Sequence, residues 1–381
     1  MYICTPYHRL KESDLLFKVI RKNVLDSFSF ESIDENTDTM IKTQDSDEVF
    51  KDGYKSDLLT LENLKTNTTT QFQIRDCDIR EIVSINNKSY AVISYYKKDS
   101  YDNEERILTC ITNKNLENIY TNTEFWDNYY TTYTENSYHF GILKDNILPV
   151  YIQVIIPATD TIERRHFYYK LYLDTFTNKV ISSTKSSEAN TVYQFYNIKD
   201  KTIIFNNTSE LQTADSSIEE KVLGAILDDV KSSATRSDYF KILSDYIVKI
   251  NIHYSSRTGA MTDKRLYSIS FNTGEKYIGS SILQIPGVNL YSGIIPVQIR
   301  DKLFIILYES YSSSTSITVW DFFNKRAYRK SFIELDGKIS YNNTERYIYF
   351  FNSTTKIIYK VNTMRLVKDI CKEENLISTL T

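Results

Sequence analysis

A chain of 381 residues, 25% charged and 41% hydrophobic, can bury a large core and is too apolar and aromatic to be disordered. A net charge of −3 lacks the basic excess of a dedicated nucleic-acid binder, and no stretch of 18 apolar residues is present to cross a membrane as a helix. Cys4, Cys77, Cys110 and Cys371 are too scattered for a disulfide framework or a Cys-rich metal site, so no cofactor is expected.

The first expected element is a helix within residues 1–23. Ser13 stands at its N-cap, and Leu16, Ile20 and Val24 repeat every four residues. Residues 31–52 carry Glu31, Asp34, Glu35, Asp38, Asp45, Asp47, Glu48 and Asp52 and read as an acidic surface loop. The opening residues lack the long apolar run of a signal peptide, which together with reduced thiols points to cytoplasm or nucleus.

From there strands dominate, in keeping with 31 Tyr and 19 Phe. A polar turn repeatedly leads into an apolar run: Asn87-Lys88 before Tyr90–Tyr96, Asp145-Asn146 before Ile147–Val154, and Asp200-Lys201 before Thr202–Phe205. Asp245 precedes Tyr246–Ile252, Asp301-Lys302 precedes Leu303–Tyr308, and Glu345-Arg346 precedes Tyr347–Phe351. The turns recur at intervals of 58, 55, 45, 56 and 44 residues, the spacing of propeller blades. A second phrase marks hairpins at Ile111–Lys114, Leu173–Asn178, Phe271–Gly274, Phe323–Lys325 and Val361–Thr363, where Asn, Asp and Gly accept left-handed backbone.

The expected fold class is therefore all-β: a single β-propeller of about seven four-stranded blades over residues 24–371, with a C-terminal tail over 372–381. The last blade reads as Ile339–Tyr341, Tyr347–Phe351, Ile357–Val361 and Leu366–Ile370. A β-sandwich is the alternative, but it gives no reason for the repeated phrase. One segment breaks the repeat: Ser217-Ile-Glu-Glu220 forms a capping box, and Ile218, Val222, Ile226 and Val230 mark one face of a helical insertion over 217–231.

Ser316-Ile-Thr-Val-Trp-Asp321, followed by Phe322-Phe-Asn-Lys-Arg-Ala327, resembles the third strand of a WD40 repeat with its terminal Trp-Asp. The resemblance is specific over this one blade. It implies a degenerate WD40-like scaffold and carries over no functional residues.

Catalytic signatures are missing: there is no phosphate-binding glycine loop, no HExxH and no GxSxG. Asp45-Ser-Asp47 starts like a calcium loop and fails at Val49 and Phe50. The expected function is a non-catalytic interaction scaffold for protein partners in a larger assembly. Its candidate interaction residues are Ile218, Val222, Ile226 and Val230 on the insertion and the basic group Arg326, Arg329 and Lys330. One alternative is a propeller hydrolase or lyase using channel carboxylates, with Asp145, Asp200, Asp245 and Asp301 on equivalent turns. The other is a ribosome- or RNA-associated factor, resting on the more basic C-terminal third.

Overall fold

Strand-forming residues settle into successive antiparallel sheets in the computed structural model. It describes residues 15–379 apart from 26–27, 50–54, 76, 86–87, 97–103, 112–115, 122–134, 157–164, 186–192, 199–200, 207–210, 214–235, 256, 259, 271, 273–274, 287, 290, 309–315 and 345. The opening sheet runs Ser32–Asp34, Thr39–Val49, Lys55–Asn63 and Thr69–Arg75. The second runs Cys77–Ile85, Lys88–Tyr96, Glu104–Ile111 and Leu116–Thr121, and the third Glu135–Phe140, Ile147–Ile156, Arg165–Asp174 and Lys179–Lys185. A three-stranded sheet follows, Tyr193–Ile198, Lys201–Asn206 and Leu211–Thr213. The 236–281 sheet has Arg236–Ile242, Tyr246–Tyr254, Met261–Ser270 and Lys276–Ser281. A five-stranded sheet comprises Gly293–Ile299, Lys302–Tyr308, Ser316–Asp321, Arg326–Ser331 and the late strand Leu376–Thr379. The closing sheet combines Ile339–Asn343, Tyr347–Asn352 and Ile357–Asn362 with Phe17–Arg21.

This is an all-β propeller whose sheets form from strands adjacent in the chain, except that the closing sheet recruits Phe17–Arg21 and the five-stranded sheet recruits Leu376–Thr379. The expected plan of about seven four-stranded blades is overturned: among the described residues five sheets are four-stranded blades, residues 193–213 contribute only three strands and the 293–331 sheet has five. The helix expected over 217–231 lies outside the described residues.

The N-terminal helix is also overturned, because Phe17–Arg21 is a strand paired antiparallel with Ile358–Val361. The physical reason lies in its burial. Phe17 packs among Phe332, Phe350 and Tyr359, while Ile20 packs on the opposite side among Met40, Leu64, Tyr349 and Phe351. A strand covered on both faces by neighbouring blades buries residues three apart as readily as a helix stripe does. A bulge between Val19 and Arg21 re-aims the chain at this point.

The fourth strand expected at Leu366–Ile370 is instead the end of α1, Thr363–Ile370, one blade position having been filled by residues 17–21. Asn362 caps α1 through its side chain, which accepts from the Arg365 N–H at 3.1 Å. Leu366, Val367 and Ile370 then bury one face of α1 against the five-stranded and closing sheets. Nor is the acidic stretch a loop over its described residues 31–49, since Ser32–Asp34 and Thr39–Val49 form the first hairpin of the opening sheet, while residues 50–52 lie outside the described residues.

The core is a chain of inter-sheet seams. Met40 and Leu64 of the opening sheet meet Tyr349 and Ile358 of the closing sheet, and Leu59 meets Ala91 of the second. Tyr90 and Val92 pack with Val150, Ile152 and Leu171 of the third sheet. Val248 and Leu266 pack with Ile305 and Trp320, and Val319 and Tyr308 with Phe350 and Val361. Sheets that share cores with a neighbour on either side exclude the two-layer sandwich.

Turns are built with few glycines. Asp34, Asn63, Asp174, Asp321 and Asn352 each accept backbone N–H groups two or three residues on. In every case the residue four positions on (Asp38, Asn67, Asn178, Lys325 and Lys356) has positive φ. The side-chain cap defines the turn, so even lysine is accepted in the left-handed position.

Candidate functional site

Among the described residues, four regions gather polar or exposed side chains: the turn-bearing end of the sheets, an inner cavity against the first strands, a cavity beside α1, and the connections flanking the five-stranded sheet.

At the turn-bearing end, the repeated polar residues serve mainly to join blades. Gln298 bonds Asp245 through both side-chain and backbone groups, and the Tyr246 hydroxyl donates to the Asp301 carbonyl at 3.1 Å. Lys88 Nζ and the Tyr90 hydroxyl each donate to the Thr175 carbonyl and Asn178 Oδ1 at 3.0 Å. Asp145 lies in a two-residue turn with Asn146, both left-handed, and Asp200 falls outside the described residues. Asp245 and Asp301 thus stand at a seam, in contact with the elements of an adjoining sheet.

The densest seam joins the opening and closing sheets. The Glu35 carboxylate accepts from Thr344 Oγ1 and from the backbone and side chain of Arg346. Asp38 accepts from the Tyr349 hydroxyl at 2.7 Å and from Lys360. On the outer side Arg21 and Lys42 share Glu62, tying the N-terminal strand to the opening sheet. Burial works to raise the Glu35 and Glu62 carboxyls, but these hydrogen bonds outweigh it and hold both below the ordinary value.

The inner cavity, about 600 Å³, is lined by Glu31–Asn36, Ile82, Val83 and Asn342–Thr344. These belong to the first strands of three consecutive sheets or the turns beside them. Asp34 spends its carboxylate on its own turn, through the Asn36 N–H at 3.0 Å and Thr37 Oγ1 at 2.7 Å. Glu31 behaves differently: burial pushes its carboxyl up, against the opposing effects of Lys42 and the Thr43 backbone.

The second cavity, about 720 Å³, lies between the five-stranded sheet and α1. Phe304, Tyr328 and Val367 are buried in its wall, and Arg300, Lys302, Arg326 and Lys368 surround it with Asp301 and Asp321. Burial pushes the Cys371 thiol in its lining up to about 12.

The expected basic group is only partly assembled. Arg326 lines the second cavity and pairs with Glu373 at 2.7 Å. Arg329 turns to Thr318 Oγ1 at 2.9 Å and the Pro286 carbonyl, and Lys330 pairs with Asp369 at 2.6 Å. Ile218, Val222, Ile226 and Val230 lie outside the described residues. Lys368 was hidden from sequence reasoning by the strand assigned to residues 366–370, and Glu31 by the loop assigned to 31–52. In the WD40-like segment, Trp320 is buried with no acceptor for its indole N–H among the described residues, and Asp321 caps its own turn through Asn324.

Exposed apolar side chains stand on the two connections flanking the five-stranded sheet, at the end opposite its tight turns. Leu283 is 48% exposed, Tyr291 76% and Ile333 84%. The Arg329 side chain, reaching the Pro286 carbonyl, ties the first connection to the sheet's fourth strand, which runs directly into the second. No helix among the described residues is long and apolar enough to cross a membrane.

No protein-family model matches the chain, and no curated protein sequence does. Solved structures similar in fold include the β-propeller domain of the Trilobed protease from Pyrococcus furiosus, at 11% identity and TM-score 0.40, covering 85% of this chain and 89% of that one. The polysaccharide lyase Uly1 is similar at 8% identity and TM-score 0.41, over 89% and 91% of the two chains. The WD40 domain of SCAP from fission yeast is similar at 10% identity and TM-score 0.37, over 87% and 83%. These similarities concern the fold alone.

Proposed function

We propose that this chain is a non-catalytic, degenerate WD40-like scaffold that binds a protein partner in cytoplasm or nucleus. The observation that carries the reading is the exposed set Leu283, Tyr291 and Ile333 on linked connections at one end of the five-stranded sheet. Exposing an aromatic and two large aliphatic side chains on the rim of a folded sheet is the composition of a partner surface. The polar turn residues, in contrast, are engaged in holding blades together. Affinity purification of the tagged chain from its own cells at physiological salt, followed by mass spectrometry, tests this. A stoichiometric partner lost in the Leu283→Ser, Tyr291→Ser, Ile333→Ser variant is expected. A partner retained by that variant, or no partner for the parent chain, refutes the surface assignment.

One observation favours a second reading as a hydrolase or lyase. Glu31 and Glu35 line one cavity and are pushed in opposite directions, the pattern of an acid and a base. Glu35 is held by Arg346 and Thr344, which ties it to the seam. Turnover of a glycoside or ester panel that is abolished by Glu31→Gln supports this reading, and turnover unchanged by Glu31→Gln refutes it.

A further inference from the structure

We propose that the cavity between the five-stranded sheet and α1 is an anion site, built for the dianionic head of a phosphate monoester. The inference is independent of the partner surface proposed above.

The site is cationic on three separate elements. Arg300 sits in the two-residue hairpin between Ile299 and Lys302, with its backbone held left-handed at φ 57°. Lys302 is the first residue of the next strand, and Lys368 is in the last turn of α1. Each of these three side chains is exposed and has no ion-pair or hydrogen-bond partner among the described residues. Arg326 adds a fourth positive charge, shared with Glu373.

Two carboxylates oppose them. Asp321 has both oxygens engaged by Asn324, and Asp301 stands at the hairpin tip. The lining carries four positive and two negative side chains, and with the Glu373 carboxylate that pairs with Arg326 counted, the local excess is one, resting on the unpaired Arg300, Lys302 and Lys368. Cys371 adds no negative charge, because burial keeps its thiol protonated. A phosphate monoester carries about −1.5 to −2 at pH 7 and offers three acceptor oxygens to converging N–H donors. At about 720 Å³ the cavity also has room for an organic body beside the head, within the size range of small-molecule sites.

Lys368 has another reason for its position, since a cation suits a helix C-terminus, and surface lysines are usually only solvated. What separates this group from scattered surface charge is convergence. A hairpin, a strand start and a helix end, each fixed by its own packing, direct unpaired cations around one half-enclosed space. The fixed backbones set where the cations start, while the exposed side chains still lose rotamer freedom when they close on an anion.

The test is calorimetric titration of the full chain with inorganic phosphate and, separately, with sulfate, at pH 7.5 and pH 5.5 and low ionic strength. Phosphate has its second pKa near 6 and becomes mainly a monoanion at the lower pH, whereas sulfate stays a dianion. Phosphate affinity should fall several-fold between the two pH values, while sulfate affinity stays level or rises. The Lys302→Gln, Lys368→Gln variant, altered only at exposed positions, should lose at least tenfold in affinity for both anions with an unchanged thermal midpoint. No saturable binding by the parent chain, or equal binding by the variant, overturns the proposal. If the variant's midpoint drops, Lys302→Arg, Lys368→Arg must restore the parent's anion affinity, and failure to do so likewise overturns it.

Discussion

Replacing Phe17 by Ala should open the ring at its closure point. Phe17 is 5% exposed and lies on a strand that joins the closing sheet only by pairing with Ile358–Val361. Its ring centroid is 5.0 Å from that of Phe332, 5.9 Å from Phe350 and 6.0 Å from Tyr359, the last nearly perpendicular. Losing a buried Phe costs about 3–5 kcal/mol, through lost transfer energy and the cavity left behind. The aromatic pairings put Phe17 toward the upper part of that range, each being worth roughly 0.5–1.5 kcal/mol beyond area. Val19, two residues on and 39% exposed, supplies the internal control, and Val19→Ala should cost below about 1 kcal/mol. Equilibrium urea unfolding of the parent and both variants, followed by tyrosine and tryptophan fluorescence, measures the difference. A Phe17→Ala loss no greater than that of Val19→Ala would refute the claim that residues 17–21 hold the ring shut.

The left-handed Lys325 should be better replaced by glycine: a left-handed L-residue costs about 1–2 kcal/mol, glycine gives back about 0.5–1 of that as chain entropy, and Lys325→Gly should stabilise by roughly 0.5 kcal/mol in thermal unfolding. Removing the cap of α1 by Asn362→Ala should cost about 1 kcal/mol in the same assay. The acid limb of stability separates two glutamates. Glu62 is depressed in the folded state, so its stabilisation is present above the ordinary carboxyl value and lost as pH falls through the lower folded value. Glu31 is raised, so its contribution is greatest below the ordinary value and is lost as pH rises. Glu62→Gln should therefore destabilise and Glu31→Gln stabilise at pH 7, and both differences should shrink below about pH 4 in unfolding titrations. Cys371, with its thiol raised to about 12 by burial, should resist iodoacetamide at pH 8 in the folded chain and react after denaturation, as peptide mapping would show.

The parts of this fold written locally in the chain were legible, and the parts completed by distant segments were not. Asp145-Asn146 before Ile147–Ile156, and Asp301-Lys302 before Leu303–Tyr308, are turn and strand in immediate succession, and both stand where the chain's own chemistry put them. The same logic failed at Leu366–Ile370, because the blade it was meant to finish takes its outer strand from residues about 340 positions earlier, a partnership with no local signature. It failed again at Leu16–Val24, where a spacing of three to four satisfies two facing seams as well as one helix face. The second cavity is legible only after this exchange is known. Arg300, Lys302 and Arg326 are close in sequence, but the space they face has α1 as its far wall. That wall exists because the N-terminal strand occupies the place that residues 366–370 would otherwise fill. Ring closure and the cavity are thus consequences of a single substitution of one strand for another. A variant that frees the N-terminal strand should weaken anion binding along with stability, whereas neutralising Lys302 and Lys368 should affect binding alone.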